Sequence, residues 1–215
     1  MTAATATESM SIVNLAARQR MLSQRMILQT VLAASGASGK LQAAQKSFQL
    51  FCESQQVLLD PASVDEASAR LIRDTYDGPR GVGSIIEQFM RQMRTTLQYI
   101  ETGAASLAQG ALDTLVASTD TVLEALNTAT TTFDRITKGK AELLMKELTG
   151  IVSDIQTVAR EAKMVSFNAQ IMAARAGEHG REFSVVANVL SGITGEIDGL
   201  SRKAMDLAVR NQPSA

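Results

Sequence analysis

Two groups of residues in this chain have types and spacings suited to binding chemistry. Arg20 and Gln24 interrupt an apolar stripe, Val13, Ala17, Arg20, Gln24, Ile27 and Val31, spaced three and four residues apart. On a helix that spacing puts a guanidinium and an amide on one otherwise apolar face. A buried guanidinium is costly unless paired. Arg20 therefore turns out to water or meets an internal carboxylate, or it faces its own copy across a two-fold axis with an anion between the two cations. The second group is the break Gly177-Glu178-His179-Gly180, approached through Ala169, Ala173, Ala174 and Ala176. Small residues let helices come close, and the glycines supply turn conformations. Helix-capping rules alone account for Gly, Glu and Gly here.

Most catalytic chemistry is excluded. His179 is the only histidine and Cys52 the only cysteine, so His-paired nucleophiles, multi-His metal sites, intramolecular disulfides and Cys-rich metal sites have no residues to build them. A four-helix carboxylate metal enzyme needs inward Glu-x-x-His pairs, which are absent from the sequence. No cofactor is expected, and the chain does not read as an enzyme. Arg70, Arg73 and Arg80 lie near Gly78 and Gly81, but no phosphate-binding loop or strand precedes them, which favours a solvated loop. The 10 methionines fall mostly at helical seam spacing and read as core. With 21 basic and 22 acidic residues and a net charge of −1, the chain shows no surface for nucleic acid or anionic membrane. Met1 to Glu8 lacks a signal-peptide pattern. Met21 to Ala34, the longest apolar-leaning stretch, is broken by Ser23, Gln24, Arg25, Gln29 and Thr30. The expectation is a soluble, cytoplasmic protein without membrane insertion.

The elements that position these groups are helical. Trp is absent, there are three prolines, and good helix formers dominate. At 215 residues the chain suits one extended body or two small helical units. A first helix is expected from about Ser9 to Ala34, ended by Ser35-Gly-Ala-Ser-Gly39, and a second from Lys40 to Leu59, halted by Asp60-Pro61. Ser63 followed by Glu66 fits a capping box opening a helix to Tyr76. After a loop from Asp77 to Gly83, Ser84 to Thr102 forms another helix, with Ile85, Phe89, Met93, Leu97 and Ile100 on one face. From Ala105 to Ala176 the pattern predicts one continuous helix, bending at Gly139 or Gly150. On the first helix a second stripe, Ile12, Leu15, Gln19, Leu22 and Met26, lies beside the one carrying Arg20. One stripe packs within the domain and the other against a symmetry mate. Arg18 and Arg25 share a separate, solvated face.

Both arms beside the Gly177 break follow a heptad rule. Outbound, Ala141, Leu144, Leu148, Ile151, Ile155 and Val158 begin a run that continues through Ala162, Val165, Ala169, Met172 and Ala176. Returning, Phe183, Val186, Leu190, Ile193 and Ile197 lead on to Leu200, Ala204 and Leu207. Seams of this regularity predict an antiparallel coiled coil. A single hairpin buries little, and apolar groups on other faces (Leu143, Val152, Ile171, Val185, Val189) favour a dimeric four-helix bundle. The fold class expected is all-α, a helical bundle over residues 9–135 continued by a coiled-coil hairpin over 136–211.

The order Asn168, Ala173-Ala174-Arg175-Ala176-Gly177-Glu178, Gly180, Phe183 and Val185-Val186-Ala187 resembles the signalling tip of methyl-accepting chemotaxis proteins, with flanking heptads extending the likeness over residues 140 to 209. The resemblance implies a dimeric four-helix bundle whose tip docks a CheW-like adaptor and a CheA-like histidine kinase, with other chemoreceptors as further partners. It assigns Asn168, Met172, Arg175, Gly177, Glu178, Gly180, Phe183 and Val186 to the tip. Met172 stands where such receptors usually carry a glutamate that pairs with the tip arginine, here Arg175. Residues 160–167 also depart from the usual run, and neither a HAMP unit nor tandem methylation segments are recognisable.

At the other end, Val13-Asn-Leu-Ala-Ala-Arg-Gln-Arg-Met-Leu-Ser-Gln-Arg-Met26 resembles the first-helix motif of PilJ-type sensor domains, related to nitrate/nitrite sensor kinases. That resemblance implies a small anion such as nitrate clamped at a homodimer seam by Arg20 of each subunit, with Asn14, Ala17 and Gln24 around it. Ala17 replaces the glycine of the nitrate sensors. The function implied is a soluble chemoreceptor-like signal transducer. The alternative is a non-sensing structural or modulatory helical protein that co-assembles with chemoreceptors or adaptors.

Overall fold

The computed structural model describes residues 10–210, and among these every regular element is helical. The all-α expectation is met. Helix α1 spans Ile12–Ala34, α2 Lys40–Leu59, α3 Glu66–Asp77, α4 Gly83–Glu101, α5 Ala105–Ala117, α6 Thr119–Arg175 and α7 Arg181–Arg210. No helix among the described residues is long and apolar enough to cross a membrane. The chain divides into two units, one ending at Thr137 and one starting at Lys138, so α6 contributes to both.

Local chemistry explains the helix ends. Ser11 caps α1 by accepting from the Asn14 backbone N–H at 3.3 Å; Ser9, where the helix was expected to start, lies outside the described residues. Helix α2 has the expected bounds. The capping box at Ser63 is not the start of α3: Pro61–Ser63 forms a 3-10 turn, and Asp65 is the cap, its carboxylate accepting from the Ser68 N–H at 2.8 Å. Aspartate two residues later meets the same need for an acceptor at the free N–H groups.

The continuous helix expected from Ala105 is broken at Ser118. Its hydroxyl donates to the Leu115 carbonyl at 2.8 Å and reaches the Gln92 amide oxygen on α4 at 3.2 Å. The Ser118 backbone N–H is shared between the Thr114 and Val116 carbonyls, so the ladder tightens and breaks at a residue that is neither glycine nor proline. Gly139 and Gly150 lie within uninterrupted helix.

The first unit is a bundle with one apolar core. From α1 it buries Leu15, Leu22 and Met26, from α2 Phe51, from α4 Phe89 and Met93, and from the start of α6 Val122, Leu126 and Phe133. Phe51 and Phe89 meet edge to face at 5.8 Å between centroids. The stripe Leu15, Gln19, Leu22, Met26 is therefore the internal seam of α1, while Arg20 and Gln24 face outward.

The core also holds polar groups that were not anticipated. Gln19 donates its amide to the Gln55 side chain at 3.0 Å and to the Phe51 carbonyl at 3.3 Å. Arg18, expected on a solvated face, is half-buried and donates to the Ser54 hydroxyl at 2.7 Å and to the Met10 sulfur at 3.4 Å. Burial pushes the Tyr76 hydroxyl up to about 12, a rise that a hydrogen bond with Gln55 partly offsets. Tyr76 is thus a neutral donor at ordinary pH. Only some methionines are core: Met26 and Met93 are buried, but Met21, Met164 and Met172 are exposed.

Candidate functional site

The second unit is an antiparallel hairpin of α6 and α7 closed by a 3-10 turn, Gly177–Gly180. The Ala176 N–H is shared between the Met172 and Ala173 carbonyls at 3.1 and 3.2 Å, which finishes α6. Gly177 then takes a left-handed φ of +60°, with nothing near the position a Cβ would occupy. Gly180 is needed for the opposite reason. Its backbone is packed against Ala173, and a Cβ there would overlap the Ala173 carbonyl oxygen and sit 2.7 Å from its carbon. One glycine supplies a conformation and the other a close approach.

That close approach extends down the arms and corrects the expected seam. The buried positions are Val152, Ala159, Ser166, Ala173 and Gly180 outbound, then Ala187, Thr194, Ser201 and Ala208 returning, each seven residues from the next. Ala173 and Gly180, Ser166 and Ala187, Ala159 and Thr194, and Val152 and Ser201 are pairs centred on the Ala176–Gly177 step, where the turn begins. The buried Ser166 hydroxyl donates to the Ala187 carbonyl at 2.6 Å, a side-chain-to-backbone bond possible only where the helices nearly touch. Gln170 and Asn188 pair beside it at 2.9 Å.

The large apolar stripe flanks this contact. Leu144, Leu148, Ile151, Ile155, Val158, Val165 and Met172 range from 43% exposed at Ile155 to 71% at Met172, and Phe183, Val186, Ile193 and Leu200 are exposed on the return arm. Only Ala162, Ala169, Leu190, Ile197 and Ala204 of the two runs are half-buried. A helix pair separated by alanine and serine has no room for isoleucine between its backbones, so the bulky groups are left on the rim. Between the arms Ile151, Ile155, Val158, Leu190, Ile193 and Ile197 line an apolar groove of about 380 Å3.

The tip residues singled out from the sequence come together at the closed end. Asn168, Met172, Arg175, Gly177, Glu178, Phe183 and Val186 are exposed, and Gly180 is buried. Neither Arg175 nor Glu178 forms an ion pair among the described residues. His179 is exposed in the same turn. The surface thus presents a cation, an anion, an aromatic ring and aliphatic groups together, a composition suited to docking.

In the first unit Asn14, Ala17, Arg20 and Gln24 are all exposed along α1, beside the exposed Met21 and Leu28. Arg20 is exposed, and no carboxylate among the described residues pairs with it. Arg25 is exposed too. Arg70 pairs with Glu66 at 3.2 Å, and Arg73 and Arg80 are exposed. Cys52 is half-buried, and desolvation raises its thiol against the pull of Arg94. No cluster of metal-ligating side chains occurs among the described residues.

Residues 134–208, which include the whole of this hairpin's closed end, match the family described as the methyl-accepting chemotaxis protein (MCP) signalling domain. Among curated proteins the chain is similar to methyl-accepting chemotaxis protein TlpA of Bacillus subtilis (strain 168), 37% identical over 75 residues, which are 35% of this chain and 11% of that protein. It is also similar to methyl-accepting chemotaxis protein TlpB of the same organism, 35% identical over 83 residues, 39% of this chain and 12% of that protein. The chain spans about a tenth of the length of these curated relatives. No solved structure matches it. The signalling resemblance of the hairpin is thus supported, while the PilJ-type resemblance of the N-terminal helices finds no counterpart in these matches.

Proposed function

We propose that the protein is a chemoreceptor-like signal transducer, with a helical sensor unit over residues 9–135 and a hairpin over 136–211 that docks a CheW-like adaptor and a CheA-like histidine kinase. The observation carrying this reading is the unpartnered tip, Arg175, Glu178, Phe183 and Val186, at the closed end of a hairpin that matches an MCP signalling domain. Arginine and aromatic side chains supply most of the energy in typical interfaces. Met172, in place of the usual acid, deprives Arg175 of a partner between receptor dimers, so the output of the tip differs from that of a standard receptor. In a pull-down with purified adaptor and kinase, the wild type retains both, and Arg175→Ala weakens retention by about tenfold or more. Retention by neither protein rejects the docking reading.

Two copies pair through the apolar stripe of the hairpin, and their α1 faces meet as well. Pairing there brings two Arg20 side chains together, with Gln24, Ala17 and Asn14 around them, and a small anion such as nitrate neutralises the two cations. Binding shifts α1 relative to its copy, and α6, which contributes to both units, carries the change toward the tip. Nitrate is expected to raise the melting temperature of the wild type and leave Arg20→Ala unchanged. An equal shift in both proteins removes Arg20 from the site, and no shift in either leaves the modulatory, non-sensing role as the function.

A further inference from the structure

The hairpin has two sides, divided by its small-residue seam. With the buried Ser166 as reference, Val158, Ala162, Val165, Ala169 and Met172 lie on one side of α6, roughly 40–120° away at about 100° per residue. Arg160, Lys163, Met164, Phe167, Gln170 and Ile171 lie on the other, roughly 40–160° away. The apolar groove lined by Ile155 and Ile193 opens on the first side. The pair of Gln170 and Asn188, at 2.9 Å, closes the seam on the second. Two copies that share the groove therefore leave the second side uncovered.

That side has an apolar centre. Arg160, Lys163, Met164, Phe167 and Asn168 line an open depression of about 660 Å3. Met164 is 63% exposed and Phe167 61%, so the thioether and the ring bury little of their surface within the chain. Large apolar side chains exposed together and rimmed by polar groups mark a contact surface.

Its charges have one sign. Arg160 and Lys163 are exposed, and no carboxylate among the described residues pairs with either. Arg160 is steadied on its own helix, its Nε donating to the Gln156 carbonyl at 3.2 Å and its Nη2 to the Thr157 hydroxyl at 3.3 Å. By the same rotation rule Glu161 of α6 and Glu182 of α7 fall on the groove side of their helices. Asp198, at the edge away from the turn, is taken up by Arg202 at 2.7 Å. A further copy of this chain docked face to face would set these cations against their own kind, an arrangement that selects against self-association. The complementary surface is apolar and carries carboxylates.

We propose that this side of the hairpin, about 15–25 Å from the turn, binds an acidic amphipathic helix of a second protein. The apolar stripe of that helix packs on Met164 and Phe167, and its carboxylates meet Arg160 and Lys163. The surface is separate from Arg175 and Glu178 at the tip, and it stays open when two copies pair through the groove.

The probe is a labelled three-heptad helical peptide with leucine along one stripe and glutamate beside it, compared with a peptide that has lysine at every glutamate. Fluorescence anisotropy with the full chain is expected to show saturable binding of the acidic peptide and about tenfold or more weaker binding of the basic one. Sodium chloride at about 1 M, where the Debye length is about 3 Å, weakens the acidic peptide by about tenfold. The double variant Arg160→Glu, Lys163→Glu is expected to reverse the preference, and Phe167→Ser to weaken the acidic peptide by about tenfold. Arg175→Ala and the double variant Ile151→Glu, Val158→Glu leave it unchanged. All these positions are exposed, and circular dichroism checks that each variant stays helical. Binding of neither peptide, equal binding of both, an unreversed preference in the charge variant, or loss of binding in the groove variant overturns the proposal. So does assembly of the wild type beyond a dimer that Phe167→Ser abolishes, which gives the surface to further copies. Capture by vesicles of equal parts phosphatidylglycerol and phosphatidylcholine, lost in the charge variant and without binding of the acidic peptide, overturns it in favour of a membrane.

Discussion

Gly180→Ala is expected to open the end of the hairpin, and Gly177→Ala to leave it closed. The two glycines are three residues apart and answer different demands. At Gly177 the added methyl group enters open space, and the penalty is that of a left-handed alanine, about 1–2 kcal/mol. Part of this is returned because alanine restricts the unfolded chain, by about 0.4–1 kcal/mol. At Gly180 the methyl group overlaps the Ala173 carbonyl, a backbone atom that cannot rotate away. The arms must separate, which breaks the closest seam contacts and costs about 3 kcal/mol or more. Amide hydrogen exchange around Ala173 and Ala187 reads the difference. Protection should fall by about a hundredfold in Gly180→Ala and by about tenfold or less in Gly177→Ala, following 1.4 kcal/mol per factor of ten. Equal losses in the two variants refute the close-approach assignment.

The double variant Ile151→Glu, Val158→Glu is expected to turn a dimer into a monomer without loss of helix. Both side chains are more than half exposed at the rim of the groove, so the substitution costs little packing within the chain. In a four-helix bundle both become core, and burying an aliphatic side chain contributes about 1.5–3 kcal/mol. Four carboxylates per dimer would then be forced against apolar neighbours, raising the dissociation constant by about a thousandfold at the least. Sedimentation velocity separates the species, and circular dichroism confirms that both are helical. A wild type that sediments as a monomer at tens of micromolar sinks the pairing of hairpins, and a variant that remains dimeric moves the interface elsewhere.

Which parts of this molecule could be read from the sequence depends on how each contact signals itself. Gly177 and Gly180 interrupt two strong periodicities, so the turn was plain. The seam was not. A search for coiled-coil contacts weights leucine, isoleucine and valine, and these follow a three-four rhythm along both arms. The residues that touch are Ala159, Ser166, Ala173, Gly180, Ala187, Thr194 and Ser201, a heptad of small and polar groups with almost no hydrophobic signal. The period was right and the face was wrong. The break at Ser118 comes with a hydroxyl contact to a distant glutamine, a contact that is invisible until α4 is in place. The same holds for Gln19, Gln55 and Tyr76: each is an ordinary helical residue by itself, and only the bundle brings them into one network. At the tip the exposed residues were legible through motif order. At α1 the two stripes were separable in the sequence but not which of them is internal: Ile27 of the stripe with Arg20 joins the core and Val13 and Val31 pack against it, while Ala17, Arg20 and Gln24 are exposed.

The small-residue seam has a consequence for how such a hairpin changes in length. Every contact position recurs after seven residues, and each outbound position is matched by a return position, all pairs being centred on the Ala176–Gly177 step. Removing one heptad from each arm shortens the hairpin by two helical turns yet restores the same neighbours at every remaining level. Removing a heptad from one arm alone leaves the next pair in register but strands an unmatched end. Removing any other number rotates the small residues off the contact and drives the bulky ones into it. Length in this architecture is therefore quantised, and insertions and deletions are tolerated as symmetric pairs, which makes the arms a ruler that can be trimmed without redesigning the tip.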